Sequence, residues 1–523
     1  MRIGIDVGGT NTDAVLMDGQ AVLAECKSPT TKDVTAGILS SLRGLGQRRP
    51  FDPAQIQGVM IGTTHFTNAV VERRRLQRTA ALRLALPATA ALPPMVDWPE
   101  DLHGAIGGDT YLCHGGFEFD GREISPFDEG EVRRAAEDIA RKGIGTVAIS
   151  SVFSPVNAEM ERRAGDIVAG VIPGVQVSFS HEIGRIGLLE RENATILNAC
   201  LRQLAEEVTR ALQSAVHEAA ITAPLFISQN DGTLMSVDYC RQYPVATFAS
   251  GPTDSMRGAA FLSGERDCVV VDIGGTTSDV GALHRGFPRE ASVAVQVGGV
   301  RTNFRMPDVL THGLGGGSLV QDLAGEVQVG PQSVGYEITE RALCFGGSEL
   351  TATDLAVAGG LAEIGDPGLV RGIDRDLVER GVAEIQAKVA ELVDRVKTSA
   401  QALPVVVVGG GSVLLRDSLE GAASLIKPDH FAVANAIGAA IAQVGGETDK
   451  VFSLADLSRE QTLDLARGEA SRKAIEAGAE PSSVEIVDVE EVPLAYLPSN
   501  AVRVRVKAVG DLRLERADVT ARR

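Results

Sequence analysis

Two nine-residue segments constrain this chain more than any other feature. Ile5-Asp6-Val7-Gly8-Gly9-Thr10-Asn11-Thr12-Asp13 returns as Val271-Asp272-Ile273-Gly274-Gly275-Thr276-Thr277-Ser278-Asp279, with five of the nine positions identical and the others chemically close. Each copy ends one apolar strand and leads into another, so each reads as a hairpin and the pair as an internal repeat spaced by a whole lobe. Paired glycines let the backbone take positive φ and approach a ligand with no Cβ in the way. The turn amides and the Thr/Ser hydroxyls then form a nest for phosphate oxygens. The candidate phosphate-binding residues are therefore Gly8, Gly9, Thr10, Asn11 and Thr12, with Gly274, Gly275, Thr276 and Thr277. Asp6 and Asp272 end the incoming strands, where a carboxylate holds Mg²⁺ through water or orients a nucleophile. Asp13 and Asp279 have a second reading as caps for the hairpins' own N–H groups.

The rest of the chain alternates strand and helix signals, which indicates a layered α/β architecture. Asp18-Gly19 turns the N-terminal strands into a three-strand meander. Further apolar strands fall at Gly58–Ile61, Thr146–Ile149, Gln176–Phe179 and Leu225–Ser228. Helical patterns cover Thr35–Leu45, Glu129–Arg141, Ala158–Val168, Leu188–Ala219 and Arg375–Lys397. Residues 80–126, with Pro87, Pro93, Pro94 and Pro99, read as an irregular insertion that either shapes a pocket or is a plain surface excursion. Val405–Val408 is an apolar strand running into Gly409-Gly410-Gly411-Ser412, where a flat group has room to slide over backbone. After Gly446 a charged helix at Ser458–Ala477 and short strands near Val484–Val487 and Val502–Val506 suggest an appended α+β module. The expected division is 1–185, 186–447 and 448–523.

A formal charge of −19 disfavours nucleic-acid backbones and anionic lipid as partners. The six cysteines are scattered without CxxC pairs, which fits reduced thiols. MRIGIDVGGT runs straight into a strand, and no apolar stretch approaches a membrane span, so a cytoplasmic location is expected. Walker A, GxGxxG and GxSxG signatures are missing, which weakens the P-loop, dinucleotide and serine-hydrolase readings. The histidines lack zinc-site spacing.

The two hairpins followed by the Gly409–Gly411 run resemble the phosphate-1, phosphate-2 and adenosine motifs of the actin, hexokinase and heat-shock chaperone ATPase superfamily. Within it the chain is similar to the hydantoinase/oxoprolinase family, which includes ATP-dependent subunits of N-methylhydantoinase, oxoprolinase and acetone carboxylase. The narrower likeness rests on Gly62-Thr63-Thr64-His65-Phe66-Thr67-Asn68-Ala69, on Leu189-Glu190-Arg191-Glu192-Asn193-Ala194-Thr195-Ile196-Leu197-Asn198-Ala199, and on Ser228-Gln229-Asn230-Asp231-Gly232-Thr233-Leu234. Ser250-Gly251-Pro252 and Gly313-Leu314-Gly315-Gly316-Gly317-Ser318 complete it. The likeness covers about residues 1–445. The first hairpin departs from the family's commoner GGTFTD, and the chain is shorter than the larger members.

The resemblance implies a two-lobed, actin-like (ribonuclease H-like) α/β ATPase fold with a small C-terminal module. It implies ATP and Mg²⁺ as cofactors, and Asp6 and Asp272 as metal-organising and catalytic residues. Gly316, Gly317, Gly409, Gly410 and Gly411 are expected to join the two hairpins in holding the nucleotide. Thr63 and His65 are candidate catalytic residues, with helix capping and packing as their plainer roles, and His312 stands in a similar position. The implied reaction is phosphorylation and opening of a cyclic amide of the hydantoin, 5-oxoproline or lactam type. A second hydantoinase-type subunit and a homo- or hetero-oligomer are expected. A small-molecule kinase of the sugar-kinase type and an ATP-driven switch protein are the competing readings.

Overall fold

Apolar side chains on both faces of the N-terminal strands oblige them to lie between two layers of helix. In the computed structural model, which describes residues 1–9, 11–29, 34–291, 295–304, 306–323, 326–454, 457–494 and 501–514, β1 (Arg2–Val7) pairs antiparallel with β2 (Asn11–Asp18). β2 pairs in turn with β3 (Ala21–Pro29), and β4 (Gly58–Thr63) lies parallel to β1. One face of this sheet, with Ile3, Ile5 and Leu16, packs on Ile196, Leu197 and Leu201 of the long helix Leu188–Glu218. The other face, with Val15 and Met17, packs on Ala436, Ile437 and Ala440 of the helix Ala434–Ile441.

Between β4 and the long helix the chain builds a separate four-stranded parallel sheet. It consists of β5 (Ala80–Leu86), β6 (Asp109–His114), β7 (Thr146–Ser151) and β8 (Gln176–Phe179), in the order β6-β5-β7-β8. The helices Glu129–Arg141 and Glu159–Val171 cover it through Val132, Ile139, Ala164 and Val168. The insertion expected to be irregular over 80–126 thus contains two strands. Arg83 breaks the apolar run of β5, but it is fully buried and its guanidinium meets Glu192 at 2.5 Å. The four prolines fall in and beside the loop that follows β5.

The chain then returns to the first sheet. β9 (Leu225–Ser228) lies parallel to β4, and β10 (Thr233–Ser236) is antiparallel to β9. The second lobe repeats the plan. β11 (Cys268–Ile273) pairs antiparallel with β12 (Ser278–His284), which pairs with β13 (Phe287–Pro288). After the ribbon β14 (Val295–Val297) and β15 (Val300–Thr302), β16 (Val309–His312) also pairs with β12. A second ribbon joins β17 (Ser318–Leu323) to β18 (Glu326–Ser333). β19 (Pro404–Val408) lies parallel to β11, and β20 (Ser424–Ile426) parallel to β19. The order β13-β12-β11-β19-β20 matches β3-β2-β1-β4-β9, so the repeated motif belongs to a repeated sheet. This is the two-lobed, actin-like, ribonuclease H-like fold. Helix Arg375–Val396 covers one face of the second sheet, and helix Ser250–Ser263 covers the other through Met256 and Ala259.

Helices Ser250–Ser263 and Ala434–Ile441 cross between the lobes at glycines. A Cβ on Gly258 would collide with the carbonyl of Ala434, and one on Gly438 with the carbonyl of Asp254. β21 (Gln443–Ser453) pairs parallel with β10, while β22 (Glu485–Pro493) and β23 (Ala501–Gly510) extend the sheet beyond it. The boundary expected at 447/448 therefore falls inside a strand, and the C-terminal stretch widens the first lobe's sheet to nine strands. β10 leaves an open edge, and pairing along β21 satisfies its backbone groups. Among the described residues, no helix is long and apolar enough to cross a membrane.

Candidate functional site

Register brings the sequence candidates together. Because β1 and β4 are parallel neighbours, Asp6 stands opposite Gly62 and Val7 opposite Thr63. In the second lobe Asp272 stands opposite Val408, one residue before Gly409. These are the carboxyl ends of parallel strands, the usual place for a ligand crevice in an open α/β sheet. The two turns close in the same way: the Gly8 N–H donates to Asn11 O at 3.1 Å, and the Gly274 N–H to Thr277 O at 2.9 Å. Gly9 and Gly275 form exposed tips with nothing within 4 Å of an added Cβ. Thr10 lies outside the described residues.

The carboxylates crowd together with little countercharge. Asp6 is buried, and the Asn435 Nδ2 donates to its Oδ2 at 3.2 Å, while Oδ1 has no partner among the described residues. Burial, reinforced by Asp13, pushes Asp6 up to about 7. Burial also raises Asp13, which Lys27 opposes across a 3.0 Å ion pair. Asp272 keeps some surface in the cleft, yet burial raises it too. Asp279 is pushed by burial up to about 6, although the Thr311 hydroxyl donates to it at 2.6 Å.

Asp254, on helix Ser250–Ser263, was not among the sequence candidates. It is fully buried, and neither carboxylate oxygen has a hydrogen-bond partner among the described residues. A Cβ on Gly62 would lie 2.6 Å from Asp254 Oδ2 and 2.9 Å from Asp6 Oδ1, so the two carboxylates occupy the space that glycine leaves. Its signal was the Asp two residues after Ser250-Gly251-Pro252, but nothing local ties that residue to Asp6. The unpartnered Asp6 oxygen and the surplus of carboxylates fit a cation that arrives with its own ligands. Among the described residues no three His, Cys, Asp or Glu side chains are grouped closely enough to hold an ion.

Thr63 ends β4 next to the Asp6–Gly62 pair, and His65 opens the helix His65–Glu72. The Thr63 hydroxyl is 2.6 Å from His65 Nδ1 and accepts the His65 N–H at 3.3 Å. The Thr64 hydroxyl donates to Val7 O at 3.4 Å, and the Ser250 hydroxyl to Thr63 O at 3.3 Å. Burial lowers the His65 imidazole from its ordinary range, which favours the neutral ring. His312 ends β16 opposite Ser278, beside the second hairpin.

The glycine runs divide by role. The N–H groups of Gly316 and Gly317 donate to Gly274 O at 3.0 Å and Gly275 O at 2.7 Å. These amides brace the second hairpin. Gly409 has φ +83°, donates its N–H to Phe431 O at 2.9 Å and leaves no room for a Cβ against Asp272. An added Cβ on Gly411 would lie 2.9 Å from Gly274 O. Gly410 is exposed with open space above it.

Other marker residues make contacts within the protein. Buried Arg191 donates to Ser180 Oγ, Arg185 O, Ile186 O and Ser151 O, and so holds the loop before its helix. Glu192 takes Arg83 and the Ser150 hydroxyl, and Asn193 Oδ1 accepts from the Trp98 Nε1. Although burial opposes it, Lys507 and Thr233 hold Asp231 down at about 2, and the 3.0 Å Lys507–Asp231 pair fastens β23 to this segment.

With this geometry in place, comparison with known proteins is informative. Residues 2–172 match the hydantoinase/oxoprolinase N-terminal region, and residues 191–396 match hydantoinase/oxoprolinase. The chain is 29% identical over 416 residues to caprolactamase subunit alpha of Pseudomonas jessenii, covering 75% of this chain and 58% of that protein. It is 26% identical over 389 residues to acetophenone carboxylase gamma subunit of Aromatoleum aromaticum, covering 68% of this chain and 52% of that one. The crystal structure of ATP-dependent caprolactamase from Pseudomonas jessenii superposes with a TM-score of 0.79 at 21% identity, over 98% of this chain and 88% of that chain. The chain thus spans little more than half the length of these two curated relatives.

Proposed function

The chain belongs to the hydantoinase/oxoprolinase family, and from that premise we propose that it is an ATP-dependent carbonyl-activating subunit that phosphorylates and opens a cyclic amide. The observation that carries this reading is the repeated pair of hairpins, with Asp6 and Asp272 at matched positions near the ends of β1 and β11 and an Asp6 oxygen left without a donor among the described residues. The substrate is of the hydantoin, 5-oxoproline or lactam type. The known relatives are named as subunits, and a second hydantoinase-type subunit completes the reaction here as well.

An amide carbonyl is a poor electrophile. Moving the γ-phosphoryl group of ATP to its oxygen breaks the bond to ADP and makes an imidate phosphate. Water adds to the carbon of that imidate phosphate, and the adduct collapses with cleavage of the ring C–N bond, the nitrogen leaving with the bonding pair and taking a proton, which gives an acyl phosphate. A second water attacks the acyl carbon, and inorganic phosphate leaves with the carbon–oxygen bonding pair. While the Gly8 and Gly274 N–H groups close the two turns, the hairpin amides and hydroxyls at Gly9, Asn11 and Thr12, with those at Gly275–Thr277, hold and align the transferring group. Their contribution is positioning and charge stabilisation, which phosphoryl transfer mainly requires. Asp6 and Asp272 orient the attacking oxygen, and they would hold through water a Mg²⁺ brought by the nucleotide, which would supply neutralisation of the phosphate charge. A neutral His65, fixed by Thr63, faces the same strand end as a hydrogen-bond partner for substrate.

Phosphate release with Mg-ATP, screened against hydantoins, 5-oxoproline, lactams and simple ketones, tests this reading. Stimulation by one class is expected, with loss in Asp6→Asn and Asp272→Asn. Unchanged ATPase activity in both variants, or no ATP binding by calorimetry, would overturn it.

A further inference from the structure

We propose that Lys27 is a positioning residue of the phosphoryl-transfer site, holding the first hairpin against the second lobe across the cleft. The inference rests on the ATP-dependent reading above. On β3, Lys27 stands opposite Asp13 in register. Its Nζ reaches Asp13 Oδ2 at 3.0 Å and donates to Ala432 O at 3.0 Å. The first acceptor belongs to the phosphate hairpin of one lobe, and the second lies in the segment after β20 in the other. Two residues earlier on the same face of β3, Glu25 Oε2 meets His430 Nδ1 at 2.6 Å. One strand of the first lobe therefore grips residues 430–432 of the second at two points.

That segment is not a passive surface. Phe431 O accepts the Gly409 N–H at 2.9 Å, and Gly409 packs directly on the Asp272 carboxylate. An unbroken path runs from Asp13 through Lys27 and residues 431–432 to Gly409 and Asp272. Any change in the spacing of the lobes at Lys27 is felt at both hairpins. Charge supports the same role, since Lys27 is the cation whose field opposes the upward shifts of Asp6, Asp13 and Asp272 alike. Its side chain keeps 37% of its surface exposed. An ammonium carries three donors, and two of them have acceptors among the described residues.

Lys27→Met keeps the aliphatic stem and removes the charge and the donors. With the full chain, kcat for ATP hydrolysis is expected to fall about 10²-fold, the scale for removing one preorganised donor, while the calorimetric Kd for Mg-ADP moves less than about fivefold. Lys27→Arg, which keeps charge and donors, is expected to recover kcat to within about tenfold of wild type. Amide exchange at Gly409 in the nucleotide-free protein is expected to quicken about tenfold in Lys27→Met, because the segment carrying its acceptor is released. If Lys27→Met does not fold, Lys27→Gln carries the same tests. Wild-type kcat in the Met or Gln variant, or unchanged Gly409 exchange where turnover needs an absent subunit, would overturn the proposal. Failure of the wild type to bind ATP would instead overturn the functional reading.

Discussion

Asp6→Asn should make the nucleotide-free protein more stable while abolishing its activity. The folded protein holds the Asp6 proton up to about pH 7, whereas the unfolded chain releases it near 3.8. Between those values the native state binds more protons than the unfolded state, so stability falls as pH rises. Below 3.8 the penalty is nil, and above pH 7 the ionised native state carries all of it, about 4 kcal/mol. The substituted amide is nearly isosteric and carries no charge. Its oxygen still accepts from the Asn435 Nδ2, and its –NH₂ takes the place of Oδ1, which has no donor to lose among the described residues. For a chain of 523 residues melting cooperatively, that free energy corresponds to about 4 °C in Tm. Differential scanning calorimetry of both proteins without nucleotide, from pH 5 to pH 8, is the assay. The variant's advantage should grow steadily with pH and shrink when Mg-ADP is added to both. An advantage that does not change with pH, or a variant less stable than wild type at pH 8, would refute the burial argument for Asp6.

Two further substitutions separate site geometry from scaffold. Gly62→Ala puts a methyl within 3 Å of both Asp6 Oδ1 and Asp254 Oδ2; it should cost about 1–3 kcal/mol and reduce ATP turnover more than ATP binding, read from denaturation and steady-state kinetics. Glu192→Gln leaves Arg83 buried without its countercharge. It should cost about 3–5 kcal/mol in denaturant unfolding yet leave the nucleotide Kd of the folded protein unchanged by calorimetry.

Local chemistry was legible in the sequence; long-range pairing was not. Helix Glu129–Arg141 matched its predicted bounds because Asp128 caps it and its apolar residues keep helical spacing. The two hairpins carrying Asp6 and Asp272 were legible because each pairs an apolar strand with a Gly-Gly turn, and the same residues recur in the same order. By contrast, β21 joins the first sheet by pairing with β10, roughly two hundred residues earlier, and edge pairing leaves almost no local signature. The prolines at 87, 93, 94 and 99 hid β5 and β6, since they mark the loop between those strands and say nothing of the pairing on either side of it.

The glycine runs show where such reading reaches a physical limit. A glycine is required wherever backbone approaches closely, whatever it approaches. Gly9 and Gly275 face open space, while Gly316 and Gly317 donate to the carbonyls of the second hairpin. Composition cannot separate these cases, because ligand phosphate and protein carbonyl demand the same absent Cβ and accept the same N–H. Asp254 and Lys27 were invisible for the opposite reason. Neither residue lies in a glycine run, and each gains its meaning from partners on other elements: Gly62 and Asp6 for Asp254, Asp13 and Ala432 for Lys27. The sheet repeat gives each lobe one hairpin, and the helix crossing at Gly258 and Gly438 brings Asp254 against Gly62 beside Asp6. A sequence can announce a phosphate nest in one lobe, but the residues that tune its charge and spacing come from the packing of one lobe on the other.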